Sequence, residues 1–253
     1  MKYNFHGKEY RLPGWAYGFF ALLLFTGTPS NAQDMPDTTI AKLREAGAIS
    51  IYYQSLQQQS GLYNGREYLQ YVHLLKEGHP YLDTSALTNG SVHYDGIIYK
   101  NVPMLYDLVK DELIIQHFNK VFLLQLVYSK IDSFSLLGHH FMHLGRDSIT
   151  GENIQEGFYD MLYNGKIKLY VRRRKFIKEY IRNMEVERNV YQKDQYFLYK
   201  DGVYHDIYTE SSILKLLKDK RAGIRQALRK QGIRFRRDRE LAMKLMTEQY
   251  DAL

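Results

Sequence analysis

The chain has 253 residues, 45% of them apolar, a formal charge of +7, 23 tyrosines and no cysteine. That length suits one domain with appendages, at roughly 100–200 residues per domain. The missing thiols exclude disulfides, thiolate metal sites, a lipid-modified N-terminal cysteine and a cysteine nucleophile, so a core must hold the fold alone.

Residues 1–32 read as a signal peptide. Lys2, Lys8 and Arg11 give a basic start, Trp15 to Phe25 is uncharged and apolar, and Ser30 and Ala32 stand at −3 and −1 before Gln33. A membrane anchor is the alternative. At ~1.5 Å per residue the apolar run covers only about half of a ~30 Å hydrocarbon core, which favours cleavage. The expected address is the periplasm or the outer membrane. The charge is divided: residues 33–164 sum to −6 and residues 165–253 to +11. A basic half seeks an anionic partner. Export argues against nucleic acid and for anionic lipid head groups or an acidic envelope protein.

In chain order, Gln33 to Asp37 reads as a flexible start, and Thr38 to Gln59 as one or two short helices interrupted at Gly47. "LYNG" occurs at Leu62 and again at Leu162; both copies read as Asn-Gly hairpin turns. Tyr68 to Leu75 is expected to be a strand, followed by a polar loop. Gly90 to Leu144 then reads as a meander of five or six strands, cut at Asp95-Gly96, Lys110-Asp111, Asn119-Lys120 and Gly138. Its segment Val121 to Tyr128 is apolar on both alternating faces, which predicts a strand covered on both sides. Arg146 to Glu156 reads as a polar loop. Hairpins are expected around Asn164-Gly165 and Asp201-Gly202, while Ile177 to Asn189 is ambiguous between strand and helix. Ser211 or Ser212 is expected to cap a helix with Ile213, Leu216 and Leu217 inward. A second helix carries Ile224, Ala227 and Leu228 and stops at Gly232. A third starts at Asp238 with Leu241, Leu245 and Met246 on one face.

Candidates for chemistry are few. His139, His140 and His143 form the densest cluster, but on a strand His139 and His143 stand about 13 Å apart at ~3.3 Å per residue, too far for one ion. His117 or His93 would have to help, and no metal is expected. Asp107, Asp111, Glu112, Asp132, Glu156 and Asp160 match no acid–base template, and no nucleophile elbow, phosphate loop, dinucleotide or zinc motif occurs. No catalytic residue and no cofactor is therefore assigned. Tyrosines on presumed strands offer apolar area with a hydroxyl, so Tyr94, Tyr99 and Tyr106, with His117 and His139, are the ligand-facing candidates. Arg172, Arg173 and Arg174, and Arg234, Arg236 and Arg237, are the candidates for contact with a membrane or partner. Ile233 and Phe235, interleaved with the second set, are expected to dock on the core while the arginines point outward.

The "NAQ" end of the leader, "LYNGREY", "YDGIIYKNVPMLYDLVKDELIIQH" and "KDGVYHDIYTESSILKLL", ahead of a basic tail ending "EQYDAL", resemble a group of uncharacterised exported β-rich proteins of Bacteroidetes-type cell envelopes. The resemblance implies export and a β-rich fold. It carries over no activity and no catalytic residue.

The expected fold is α+β: a curved antiparallel meander of about ten strands, half-barrel or barrel-like, over 33–210, with a basic helical tail at 211–253 packed on it. A closed barrel or a sandwich is the alternative. The expected function is a non-enzymatic envelope binding protein that holds an apolar or amphiphilic ligand in the curved sheet. An envelope scaffold that binds another protein is the second reading, and a hydrolase with an unrecognised site the third.

Overall fold

The computed structural model describes residues 61–146 and 154–252. In chain order its strands are β1 (Arg66–Glu67), β2 (Thr88–Tyr94), β3 (Ile97–Asp107), β4 (Glu112–Gln116), β5 (Leu123–Gln125) and β6 (Ile131–Leu136). They continue as β7 (His139–Leu144), β8 (Gly157–Asn164), β9 (Lys168–Arg182), β10 (Glu185–Lys200) and β11 (Val203–Ile207). Three helices follow: α1 (Glu210–Leu216), α2 (Arg221–Lys230) and α3 (Arg239–Ala252). The signal peptide, the flexible start and the helices expected over 38–59 fall outside the described residues, as does most of the loop between β7 and β8.

All eleven strands form one antiparallel sheet in the order β1-β5-β4-β3-β2-β6-β7-β8-β9-β10-β11. The fold is the α+β meander expected, open rather than closed, with one strand more. Part of it must curl. β5 and β6 stand four strand spacings apart, about 19 Å on a flat sheet. Only Leu126 to Lys130 joins them, and Tyr128–Lys130 is a 3-10 turn that advances ~2 Å per residue. A flat sheet would leave that link too short.

The curled part encloses the largest core. Tyr106 lies edge-on to Phe134, Phe141 and Phe158 with ring centres 5.0–6.0 Å apart, and Met104, Leu113 and Ile115 are fully buried beside them. Edge-to-face rings add about 0.5–1.5 kcal/mol per pair beyond the area they bury. On the opposite face, residues 68–87 cover Leu105, Ile114 and Leu123. So β5 is covered on both sides, as the doubly apolar segment implied, but it is only three residues long. Val121, the first residue of that segment, is 80% exposed in the β4–β5 turn. The strand expected at Tyr68 to Leu75 is not formed: β1 ends at Glu67, and a 3-10 turn takes Val72–Leu74.

Two-residue hairpins of type I′ need positive φ at both loop positions. Asp95-Gly96, Leu137-Gly138 and Asp201-Gly202 supply them, with φ of 53° to 82°. The β9–β10 turn is built the same way from Asn183 and Met184, at 51° and 67°. It settles Ile177 to Asn189 as the outer part of a long hairpin. A residue with a Cβ in this left-handed region costs roughly 1–2 kcal/mol, and here a methionine stands where the other three turns have glycine.

Neither "LYNG" copy uses its glycine in this way. Neither Gly65 nor Gly165 has a left-handed φ, and what they provide is room. A Cβ on Gly65 would collide with the Gln125 carbonyl oxygen, and one on Gly165 with the Asp251 carboxylate. The second copy does close the β8–β9 hairpin; the first precedes β1 and closes none.

The helices pack on the β8–β11 part of the sheet. The cap of α1 is Thr209, not Ser211 or Ser212: its hydroxyl accepts from the Ser212 amide, and the Ser212 hydroxyl accepts from the Thr209 amide. Ile213, Leu214 and Leu217 turn inward, while Leu216 is only partly covered. In α2 Ile224 and Leu228 are buried, and Gly232, at φ 66°, follows the helix end as expected. In α3 the inward residues are Ala242, Met243, Leu245 and Met246. Leu241, expected among them, is 55% exposed.

Candidate functional site

A short helix followed by an extended linker leaves its polar side chains outward unless something apolar pins the linker. In residues 231–238 that pin is Phe235, buried under α2 and α3, with Ile233 partly buried beside it. The chain between these anchors turns its arginines outward. Arg234 and Arg236 then face Arg225 and Arg229, which lie one helical turn apart on α2. The four line a groove of about 550 Å3 with Leu228, Ile233 and Phe235 as its apolar wall and Glu210 at one side. All four arginines are exposed, and none has an ion-pair partner among the described residues. Arg237 differs: it pairs with Asp238 at 3.0 Å, where the linker turns into α3. Arginine with a planar, multi-donor head suits phosphate and carboxylate, and an apolar wall alongside suits an amphiphile.

The other basic focus has a different environment. Alternation along β9 sends Arg172 and Arg173 to opposite faces of the sheet. Arg173 meets Asp160 of β8 at 2.7 Å, Asp194 of β10 at 3.2 Å and Glu240 of α3 at 2.9 Å. It is a tie between sheet and helix. Arg172 donates to the Glu156 carbonyl, the Gln155 side chain and the Tyr159 hydroxyl, and stands 4.0 Å from Asp111. Gly157 makes room there, since a Cβ would touch both Arg172 and Asp111. Arg172 and Arg173 are therefore interior residues and not the partner contacts expected; Arg174 is half-buried.

His139 extends the Arg173 network. Its Nδ1 is 2.7 Å from Asp160, and its Nε2 3.5 Å from Asp83. The hydrogen bond to Asp160 raises the His139 pKa above the ordinary imidazole value, against the effect of burial. Burial alone would raise the Asp160 pKa; the hydrogen bond from His139 and the charge of Arg173 outweigh it and hold that carboxyl below its usual range.

The remaining candidates are dispersed. Tyr94, Tyr99 and Tyr106 are buried in the core, because large rings on the inner side of a curled sheet pack against one another. Tyr106 donates to Asp111, whose pKa burial pushes up. His117 stacks on Phe122 at 4.3 Å in the β4–β5 turn, and His143 lies edge-on to Tyr128. Asp107 is wholly buried and closes its own hairpin, accepting from the Val109 and Lys110 amides and from the hydroxyls of Tyr68 and Tyr71. Among the described residues no three His, Asp or Glu side chains are placed to hold a metal ion, and no helix is long and apolar enough to cross a membrane.

Reading the sequence alone picked out Arg234 and Arg236 and did not join them to Arg225 and Arg229. Their i, i+4 spacing on a helix leading into the basic linker was the available signal. The carboxylates around Arg173 were missed because β8, β10 and α3 meet only in space. No family model matches the chain, and neither a curated protein nor a solved structure matches it.

Proposed function

We propose that this protein is a non-enzymatic binding module of the cell envelope, which docks on anionic lipid head groups through the arginine groove of α2 and the α2–α3 linker. The observation that carries the reading is the set of four exposed arginines, Arg225, Arg229, Arg234 and Arg236, around an apolar wall, with no ion-pair partner among the described residues. Guanidinium groups held close together repel one another, and an anion relieves that repulsion. The leader-like residues 1–32 and the excess positive charge after residue 165 support an envelope address and an anionic partner.

Each arginine near an anionic surface contributes about 1 kcal/mol, or roughly fivefold in affinity. Co-sedimentation with vesicles is the test. Binding is expected to vesicles containing phosphatidylglycerol and not to phosphatidylcholine alone, to weaken with salt, and to fall in proportion in Arg234→Ala and Arg236→Ala. Equal binding to neutral vesicles, or wild-type binding by the double variant, sinks the proposal.

A scaffold that binds another protein is the second reading, and the cluster of buried tyrosine and phenylalanine rings inside the curled sheet favours it over a ligand carrier.

A further inference from the structure

The β9–β10 hairpin ends in a cluster that the fold does not cover. Met184 is fully exposed, Ile181 is 80% exposed, and Val186, directly opposite Ile181, is 52% exposed. The local backbone would favour glycine at position 184, as at the three sister turns, so the methionine is held there against conformational preference. Exposed strand ends that carry apolar side chains are where chains associate. The charges just behind the tip are Arg182 and Glu185, a directly opposed pair. These do not suit immersion in hydrocarbon, which charged groups enter only at high cost. A protein pocket with a polar rim accommodates them.

Such a pocket exists on the same chain. Between residues 67–70 and the β4–β5 turn is an open cleft of about 470 Å3. Leu69 and Val121 project into solvent at its edge, 73% and 80% exposed, and Glu67 and Lys120 bring one acid and one base to its lining. The tip offers the reciprocal pair in Arg182 and Glu185. The tip does not line this cleft in its own molecule, and the hairpin behind it is pinned. The Lys175 amide donates to the Leu108 carbonyl, and on β10 the Lys76 amide donates to Arg188 and the Val190 amide to Glu77.

We infer that the β9–β10 tip of one molecule inserts Ile181, Met184 and Val186 into the Leu69/Val121 cleft of a second copy, giving head-to-tail association. A tip-to-cleft interface uses two different surfaces, so it propagates into a ring or a chain unless something ends it.

Sedimentation velocity on the full chain, purified from an exporting host and run over a wide concentration range, tests this. Wild type is expected to associate reversibly. Met184→Gly removes one buried apolar side chain and should weaken association by roughly tenfold to a hundredfold. Because it restores the glycine the turn prefers, its thermal stability should not fall. Val121→Asp, at an exposed position, should abolish association and likewise stay folded. The decisive sample is a mixture of the two variants. Each lacks one half of the interface, so together they should form a one-to-one heterodimer that grows no further. A wild-type chain that stays monomeric overturns the inference, whether or not its tip binds vesicles or another protein. Association that survives both substitutions, or a mixture that stays monomeric, overturns it too.

Discussion

The middle of β9 and the α2–α3 linker each carry three arginines within four residues, and the fold uses them in opposite ways. At these arginines the backbone of β9 is fixed by pairing with β10, so each side chain is sent to a set face and must find its partners there. Arg173 finds carboxylates on three different elements, and Arg172 finds a carbonyl, an amide and a phenol. The linker belongs to no sheet and its backbone bonds only locally: the Ile233 amide donates to the Leu228 carbonyl, and the Arg237 and Asp238 amides to the Arg234 carbonyl. Phe235 takes the buried position, and Arg234 and Arg236 stay in water. An arginine run thus becomes structural where neighbouring elements supply acids, and stays exposed to solvent where they do not.

The largest expected effect that bears on this contrast is at Arg173. Arg173→Ala leaves Asp160, Asp194 and Glu240 without the cation they share, and should cost about 3–5 kcal/mol in urea unfolding. A loss as small as that of a surface substitution would mean that the two arginine sets are not different after all. Asp160→Asn is the next step down. It keeps the shape and two of the three acids, so roughly 1–3 kcal/mol is expected. Its effect should be strongly non-additive with Arg173→Ala.

His139 sharpens the comparison through pH. Its folded pKa is raised, so its contribution to stability is complete below about 6.5 and is lost as pH rises through the folded value. Asp160 has a lowered pKa, so its contribution is present above about 3.9 and is lost as pH falls through its folded value. Both are therefore fully present between about pH 4 and pH 6.5. Thermal melts of wild type should show a decline above that window that His139→Gln lacks; identical profiles would remove His139 from the network. The smallest effect on stability belongs to the linker. Arg234→Ala and Arg236→Ala should change it by no more than about 0.5 kcal/mol while still weakening binding to anionic vesicles.

Much of the architecture was legible in the chain because it depends on local chemistry. Asp95-Gly96, Gly138 and Asp201-Gly202 mark turns through backbone freedom alone, and alternating β-branched and aromatic runs between them leave few choices but strands. Gly232 ends α2 for an equally local reason. Long-range demands were not legible. The glycines of the two "LYNG" copies look like turn formers, yet they are kept small by an oxygen from β5 and a carboxylate from α3.

The sequence by itself determined an antiparallel α+β chain with a basic, outward-facing linker anchored by Phe235, since periodicity and turn chemistry act within a few residues. Only the tertiary structure decided that Tyr94, Tyr99 and Tyr106 are core, that Arg173 is a strut, and that Arg225 and Arg229 complete a groove with Arg234 and Arg236. It also decided that the Ile177 to Asn189 stretch is a hairpin with Met184 at its tip. Those outcomes depend on which distant elements come to lie side by side, and burial and charge pairing are properties of that arrangement.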